Sequence, residues 1–224
     1  MGFVNDKKNK KQSSVKKNTL KAKNKSSEKE ASIQSKILEV ARKTVLSKGY
    51  DALSIRTLME KLEYSPMVFY RYFKNKRALL HFLWEDIFAA LIQSMEKNLD
   101  ITKQTSESKI KKIASGNIEF WIKHPDKYKI VYLNPDFLED NNEDLFFVQS
   151  PLIKDYLDRI LTVISWEKKE KKIAKDLSDM DILRSMVILV QGVAHSLVTV
   201  PEFQWGSDRR MYQMMVGIWY KGLS

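Results

Sequence analysis

Apolar positions recur at three- and four-residue spacing through most of the chain, and after residue 31 no stretch alternates convincingly with a period of two. The pattern predicts an all-α protein. Ile33, Ile37, Leu38, Ala41 and Val45 make one stripe on a first helix of about 15 residues that starts near Ala31. Lys48-Gly49 closes it, with Gly49 free to take the left-handed backbone conformation. Ser54 is a suitable N-cap for a second helix that carries Ile55, Leu58, Met59 and Leu62 inward. Thr57 occupies the place of a capping-box acid, so that cap is half made. After a break at Glu63-Tyr64, Ser65 is expected to accept a bond from an amide of the next turn. Pro66 fits the first helical position, where its missing N–H costs nothing. The third helix is expected from Pro66 to Tyr72. Phe69 and Phe73 turn into a small core, Met67, Tyr70 and Arg71 point outward, and Tyr72 and Lys74 lie at the edge.

From Lys76 the stripe continues through Leu79, Phe82, Leu83, Ile87, Ala90, Leu91 and Met95. This predicts a helix of about 20 residues, roughly 30 Å long, that supports the head and walls a second domain. Further helices are expected near 106–123, ending before His124-Pro125, and near 126–132. Pro135 to Asn142 reads as a turn-rich acidic linker. A long helix from about 144 to 171 is expected to bend at Pro151, with Lys172 to Leu177 as an extension. The last two helices, about 179–199 and 207–221, flank the loop from Pro201 to Gly206. The organisation read from this pattern is a Lys-rich disordered arm over 1–30, a helix-turn-helix domain over 31–76 and a larger helical domain over 77–224.

Charge separates these parts. The first 30 residues carry 10 Lys against 3 acids, and residues 31–80 carry 10 Lys or Arg against 4 acids. The remaining 144 residues carry 19 against 21, which makes the net +11 of the 224-residue chain a property of its first third. A concentrated positive source on a nearly neutral body points to a polyanion partner. The arm contains no Arg, so it is expected to attract phosphates without reading bases.

Other chemistries find little support. Cys is absent, which excludes disulfides and thiolate metal sites. His81, His124 and His195 form no local metal motif, and neither a phosphate-cradling GxxxxGK nor a GxGxxG occurs. No metal, cofactor or catalytic residue is expected, and the chain reads as a non-enzyme. The most hydrophobic stretch, Ile182 to Val200, contains Arg184, Gln191 and His195, which argues for a buried helix rather than a membrane span. The arm lacks the apolar core of a signal peptide. A cytoplasmic location with no membrane partner is expected.

A short helix with basic and aromatic residues outward suits the major groove, which is about 12 Å wide. Ser65, Tyr70, Tyr72 and Lys76 are expected on phosphates, and Met67, Val68 and Arg71 on base edges, where Arg71 would favour guanine and Met67 or Val68 a thymine methyl. Ser54, at the start of the second helix, joins the expected DNA-binding set.

The segment SKGYDALSIRTLMEKLEYSPMVFYRYFKNKRALL resembles the tetracycline-repressor (TetR) family of bacterial transcriptional regulators over about residues 33–80. The family's features fall on Lys48-Gly49-Tyr50, Ser54, Tyr70 to Phe73, Lys76 and Ala78 to Leu80. The resemblance implies that Tyr70 and Tyr72 contact the DNA backbone, that Lys76 binds a phosphate, and that Pro66, Met67 and Arg71 lie at or near the bases. Three departures stand out. Glu63 replaces the usual Gly between the second and third helices, Met67 replaces a common small residue, and Val68 replaces a common Thr or Ser.

The body offers two further expectations. Aromatic residues and deformable Met side chains suggest a pocket for an apolar or aromatic small-molecule effector, with Phe120, Trp121, Tyr128, Tyr156, Trp166 and His195 as candidate lining. Met186, Val190 and Leu197, with Met211, Met215 and Trp219 of the last helix, either fill a monomeric core or form a four-helix contact with a second subunit. The resemblance implies a homodimer bound to double-stranded DNA at a palindromic operator with half-sites about 34 Å apart, as a repressor released by ligand. The alternative is a helical interaction module whose basic head binds an acidic partner other than DNA.

Overall fold

A computed structural model describes residues 30–102, 106–133, 146–173 and 176–223. The rest of the Lys-rich arm, the whole of the expected 135–142 linker and the start of the helix expected from 144 lie outside the described residues. The chain divides into two compact units that meet between Leu79 and Leu80. Every regular element among the described residues is a helix.

The first unit holds α1 (30–48), α2 (Ile55–Lys61), α3 (Pro66–Phe69) and the first turn of α4 (Lys76–Leu99). Its core is Ile37, Ala41 and Val45 of α1 against Leu53, Leu58, Met59, Phe69 and Phe73, and the last two rings lie 5.3 Å apart. Gly49 closes α1 at φ 80°, and its amide donates to the Val45 carbonyl at 2.9 Å, as the pattern predicts. Ser54 caps α2 through a long bond of 3.5 Å from the Thr57 amide.

The turn between α2 and α3 shows how the chain manages without the usual glycine. Glu63 takes φ 60°, inside the left-handed region. Its amide donates to the Glu60 carbonyl at 3.1 Å, and the Tyr64 amide reaches back to the Met59 carbonyl at 2.9 Å. These two bonds satisfy carbonyls that the end of α2 would leave open, and they hold a conformation that a side chain disfavours.

Two expectations for α3 need correction. The Ser65 side chain makes no capping bond; its carbonyl instead accepts from the Val68 amide at 3.0 Å. The α-helix ends at Phe69 rather than Tyr72, and tighter three-residue turns follow, with the Tyr72 amide on the Phe69 carbonyl at 2.9 Å. Asn75, which the pattern did not single out, caps α4 by accepting from the Ala78 amide at 2.7 Å.

The second unit continues α4 and adds α5 (Lys109–Lys123), α6 (Pro125–Tyr132), α7 (Phe146–Gln149), α8 (Pro151–Lys169), α9 (Asp179–Thr199) and α10 (Asp208–Lys221). α9 is central and packs on α5, α8 and α10. The helix expected to run from 144 and bend at Pro151 is two helices. Ser150 caps α8 and Pro151 starts it, so the chain restarts where a bend was expected. α5 starts at Lys109 rather than near 106 because Ser108 caps it.

A buried carboxylate fixes that start. Glu167 of α8 has no solvent exposure and accepts from the Ser108 hydroxyl at 2.8 Å and the Ile110 amide at 3.1 Å, and also from the Lys109 amide. An anion at a helix N-terminus meets open amides and the positive end of the helix dipole. Trp84 of α4 donates to the Ile130 carbonyl at 3.0 Å, and Arg159 of α8 grips Glu96 of α4 with two nitrogens. These contacts hold a helical shell around an aromatic interior.

Candidate nucleic-acid interface and effector cavity

In the first unit, the α3 turn puts Phe69 inward with no exposure and Met67 and Tyr70 outward, at 74% and 55% exposure. Arg71, Ser54, Ser65 and Pro66 are exposed, and Val68 and Tyr72 are half-buried. Two contacts organise the basic groups, and the sequence reading missed both. The Arg71 guanidinium lies 3.6 Å from the Glu30 carboxylate of α1. The Lys76 ammonium sits 3.5 Å from the centroid of the Tyr50 ring, a cation–π contact between the start of α4 and the turn after α1. Lys76 also opens α4, where the Asn75 side chain already accepts from the Ala78 amide. The surface is thus a supported helical turn with exposed apolar, aromatic and cationic groups, flanked by Lys76 at the start of α4.

The second unit encloses a cavity of about 730 Å³. Six aromatic side chains line it: Phe88, Trp121, Tyr128, Tyr132, Phe147 and Tyr156. Leu91, Ile153, Ile160, Met186 and Val190 supply aliphatic wall, and Asn117, Gln191 and His195 supply polarity. Asn117 donates to the Tyr156 hydroxyl and the Ile113 carbonyl, each at 2.8 Å, and the Tyr128 hydroxyl meets His195 Nδ1 at 3.3 Å. Burial pushes the Tyr128 and Tyr156 phenols up to about 12 and raises Tyr132 as well, because a dry surrounding penalises the phenolate.

Of the six side chains expected in the pocket, Trp121, Tyr128, Tyr156 and His195 line the cavity. Phe120 and Trp166 do not. Phe120 packs on His124 with ring centroids 4.8 Å apart, and Trp166 stands beneath the Lys172 ammonium at 4.6 Å. Phe120 precedes Trp121 by one residue, a turn of 100° that carries it to another face of α5. Phe88, Asn117 and Phe147 were missed. Asn117 lies four residues before Trp121 on α5, and that spacing marks a shared face.

A second, smaller groove of about 370 Å³ runs along α9 and α10, between Ile188, Leu197, Trp205, Met211 and Met215. Beside it Ile188 and Ile218 are 73% and 61% exposed, with Met214 and Val187 also open. Met186 and Val190, expected at a subunit contact, turn inward to the cavity instead. Trp219 is half-buried and donates to Ser185 Oγ at 3.0 Å. Among the described residues, no group of three His, Asp or Glu side chains is placed to hold a metal ion. α4 and α9 meet the length and hydropathy of a membrane span, but both are packing helices of this unit, with Leu91 and Ile92 of α4 and Ile182 and Ala194 of α9 buried.

Residues 37–82 match the model of the bacterial regulatory proteins of the tetR family. Solved structures extend the likeness. The fatty acid degradation regulator FadR from Bacillus halodurans superposes with a TM-score of 0.67 at 15% identity, covering 85% of this chain and 95% of that one. FadR from Bacillus subtilis, in complex with stearoyl-CoA, gives 0.65 at 16% identity over 84% of this chain and 98% of that one. A tetR-family regulatory protein from Rhodococcus RHA1 gives 0.63 at 11% identity, with 85% and 96% covered. At these identities the likeness is one of fold. No curated protein matches the sequence. Head and fold together define a helix-turn-helix, DNA-binding transcription regulator with a larger helical second domain. The tetR-type likeness of sequence covers the head alone, residues 37–82.

Proposed function

We propose that the protein is a cytoplasmic homodimeric repressor that binds a palindromic operator and is released from it when a small molecule enters the aromatic cavity. The observation that carries the DNA half is the outward set Met67, Tyr70 and Arg71 on a turn anchored by buried Phe69, beside Lys76 at the N-terminus of α4. Arg71 reads a base, Met67 packs on a base edge, and Tyr70, Tyr72, Ser54, Ser65 and Lys76 hold the backbone, while Pro66 and Val68 set the approach. The cavity supports the second half, and the stearoyl-CoA bound to the Bacillus subtilis relative fits a small-molecule site in this fold. The open α9–α10 face, with Leu197, Met211 and Met215 in its groove, supports self-association.

Release requires a ligand that binds one conformation better than the other, and a shift from 1:99 to 99:1 takes about 5.5 kcal/mol of differential affinity. The test is competition. A labelled duplex carrying the preferred palindrome is held against excess nonspecific DNA, and metabolite fractions are then added. A specific regulator prefers its palindrome by about 10³-fold or more and lets go in at least one fraction. Equal binding to all duplexes would reject the regulator in favour of a charge-only module.

A further inference from the structure

The cavity's polar groups carry information about charge that its size does not. No Lys, Arg, Asp or Glu stands among its described lining residues. Among these lining residues an ionised carboxylate would find no cation, and an ammonium no acid, to replace lost hydration, a penalty of several kcal/mol even after relaxation. The Tyr128 and Tyr156 side chains at this wall are themselves buried, and that burial disfavours their anions.

The hydrogen-bonding capacity is not uniform. Asn117 and Tyr156 are locked together at 2.8 Å, and the Asn117 amide is also held by the Ile113 carbonyl. Tyr132 is bonded to Gln191. The Tyr128 hydroxyl and His195 Nδ1 meet at 3.3 Å, longer than the usual bond between such atoms, so a ligand oxygen displaces this contact at least cost. A neutral hydroxyl or carbonyl matches the pair, because a hydroxyl and an imidazole between them both donate and accept.

From these observations we infer that the cavity takes an uncharged, mainly apolar molecule whose one neutral oxygen function is held between Tyr128 and His195, and that it discriminates against free carboxylates and cations of the same length. This deepens the effector-site reading above and rests on it only for the identity of the site.

The test uses n-decanol, decanoate and decyltrimethylammonium, titrated calorimetrically into the full-length protein at neutral pH without DNA. Decanol is expected to bind at least about tenfold more tightly than either charged analogue. Tyr128→Phe and His195→Leu are each expected to lower decanol affinity several-fold, and Asn117→Leu to change it less. Thermal unfolding of each variant keeps a folding defect apart from a binding one. Equal or tighter binding of decanoate would overturn the inference, as would tighter binding of the quaternary ammonium, which the aromatic faces would then be holding. Unchanged decanol affinity in both Tyr128→Phe and His195→Leu would remove the pair from recognition. The effector reading fails separately: decanol that binds as described while the operator complex stays intact sinks release by ligand and leaves the charge rule standing.

Discussion

At the scale of single residues, the head departs from the TetR pattern it resembles at a place where the cost is visible. Glu63 holds φ 60°, a conformation that crowds its Cβ, in the turn that aims α3. Glu63→Gly removes the crowding and is expected to raise the head's stability by up to about 1 kcal/mol, whereas Glu63→Val, β-branched and worse in that region, lowers it. Thermal unfolding checks the order, and a Val variant as stable as the Gly variant would contradict strain at this position. Tyr156 makes a second, pH-dependent claim. Its phenol is pushed from 10.0 up to about 12 by burial. Below 10 it is neutral folded and unfolded. Between 10 and 12 the unfolded chain gives up the proton and the folded chain does not, so stability declines as pH rises through that window. Tyr156→Phe is expected to flatten the fall of the unfolding midpoint across that range relative to its own value at neutral pH. Parallel curves for the two proteins would show that Tyr156 does not titrate as a buried group.

At the scale of elements, the informative feature is a pair of helices with glycines that their own unit does not need. Gly192 in α9 and Gly217 in α10 both have open space where a Cβ would stand, and glycine costs a helix interior about 1 kcal/mol relative to alanine. Exposed Ile188 and Ile218 lie four residues before the first and one after the second. The proposed second copy, approaching closely here, would account for both the glycines and the isoleucines. Gly217→Ala is therefore expected to leave the fold intact or strengthen α10. Gly217→Leu is expected to weaken self-association at least about tenfold in sedimentation equilibrium without loss of helix. A Leu variant that associates like the parent would remove this face from the interface.

The same helix shows what the sequence makes legible. The extents of α9 and α10, the α1 stripe and the Phe69–Phe73 core follow directly from spacing and caps. The phase of α9 does not, because a helix apolar around much of its circumference offers more than one face to bury. The pattern therefore left Met186 and Val190 open between a core and a subunit contact, and they turn in to the cavity. The cavity was legible by composition but not by face, since aromatic count placed Phe120 and Trp166 with Trp121 and Tyr156 and only folding separates them. The Lys76–Tyr50 and Arg71–Glu30 contacts join elements that no local spacing links.

At the scale of the whole molecule, the division of charge in the sequence matches a division of work. The basic first unit presents Met67, Tyr70, Arg71 and Lys76, and the nearly neutral second unit holds a dry aromatic cavity and an open apolar face. The central claim is that the outward face of α3 reads DNA sequence rather than charge alone. Selection from a randomised duplex library tests it most directly, with the full-length protein and with Arg71→Ala and Lys76→Ala. The account predicts a two-fold symmetric motif with half-sites about 10 base pairs apart. Arg71→Ala is expected to relax one position of each half-site, at about 1–3 kcal/mol, and Lys76→Ala to leave the motif unchanged while lowering affinity and salt dependence. No enriched motif from the parent protein, or the same motif at the same strength from Arg71→Ala, would contradict it.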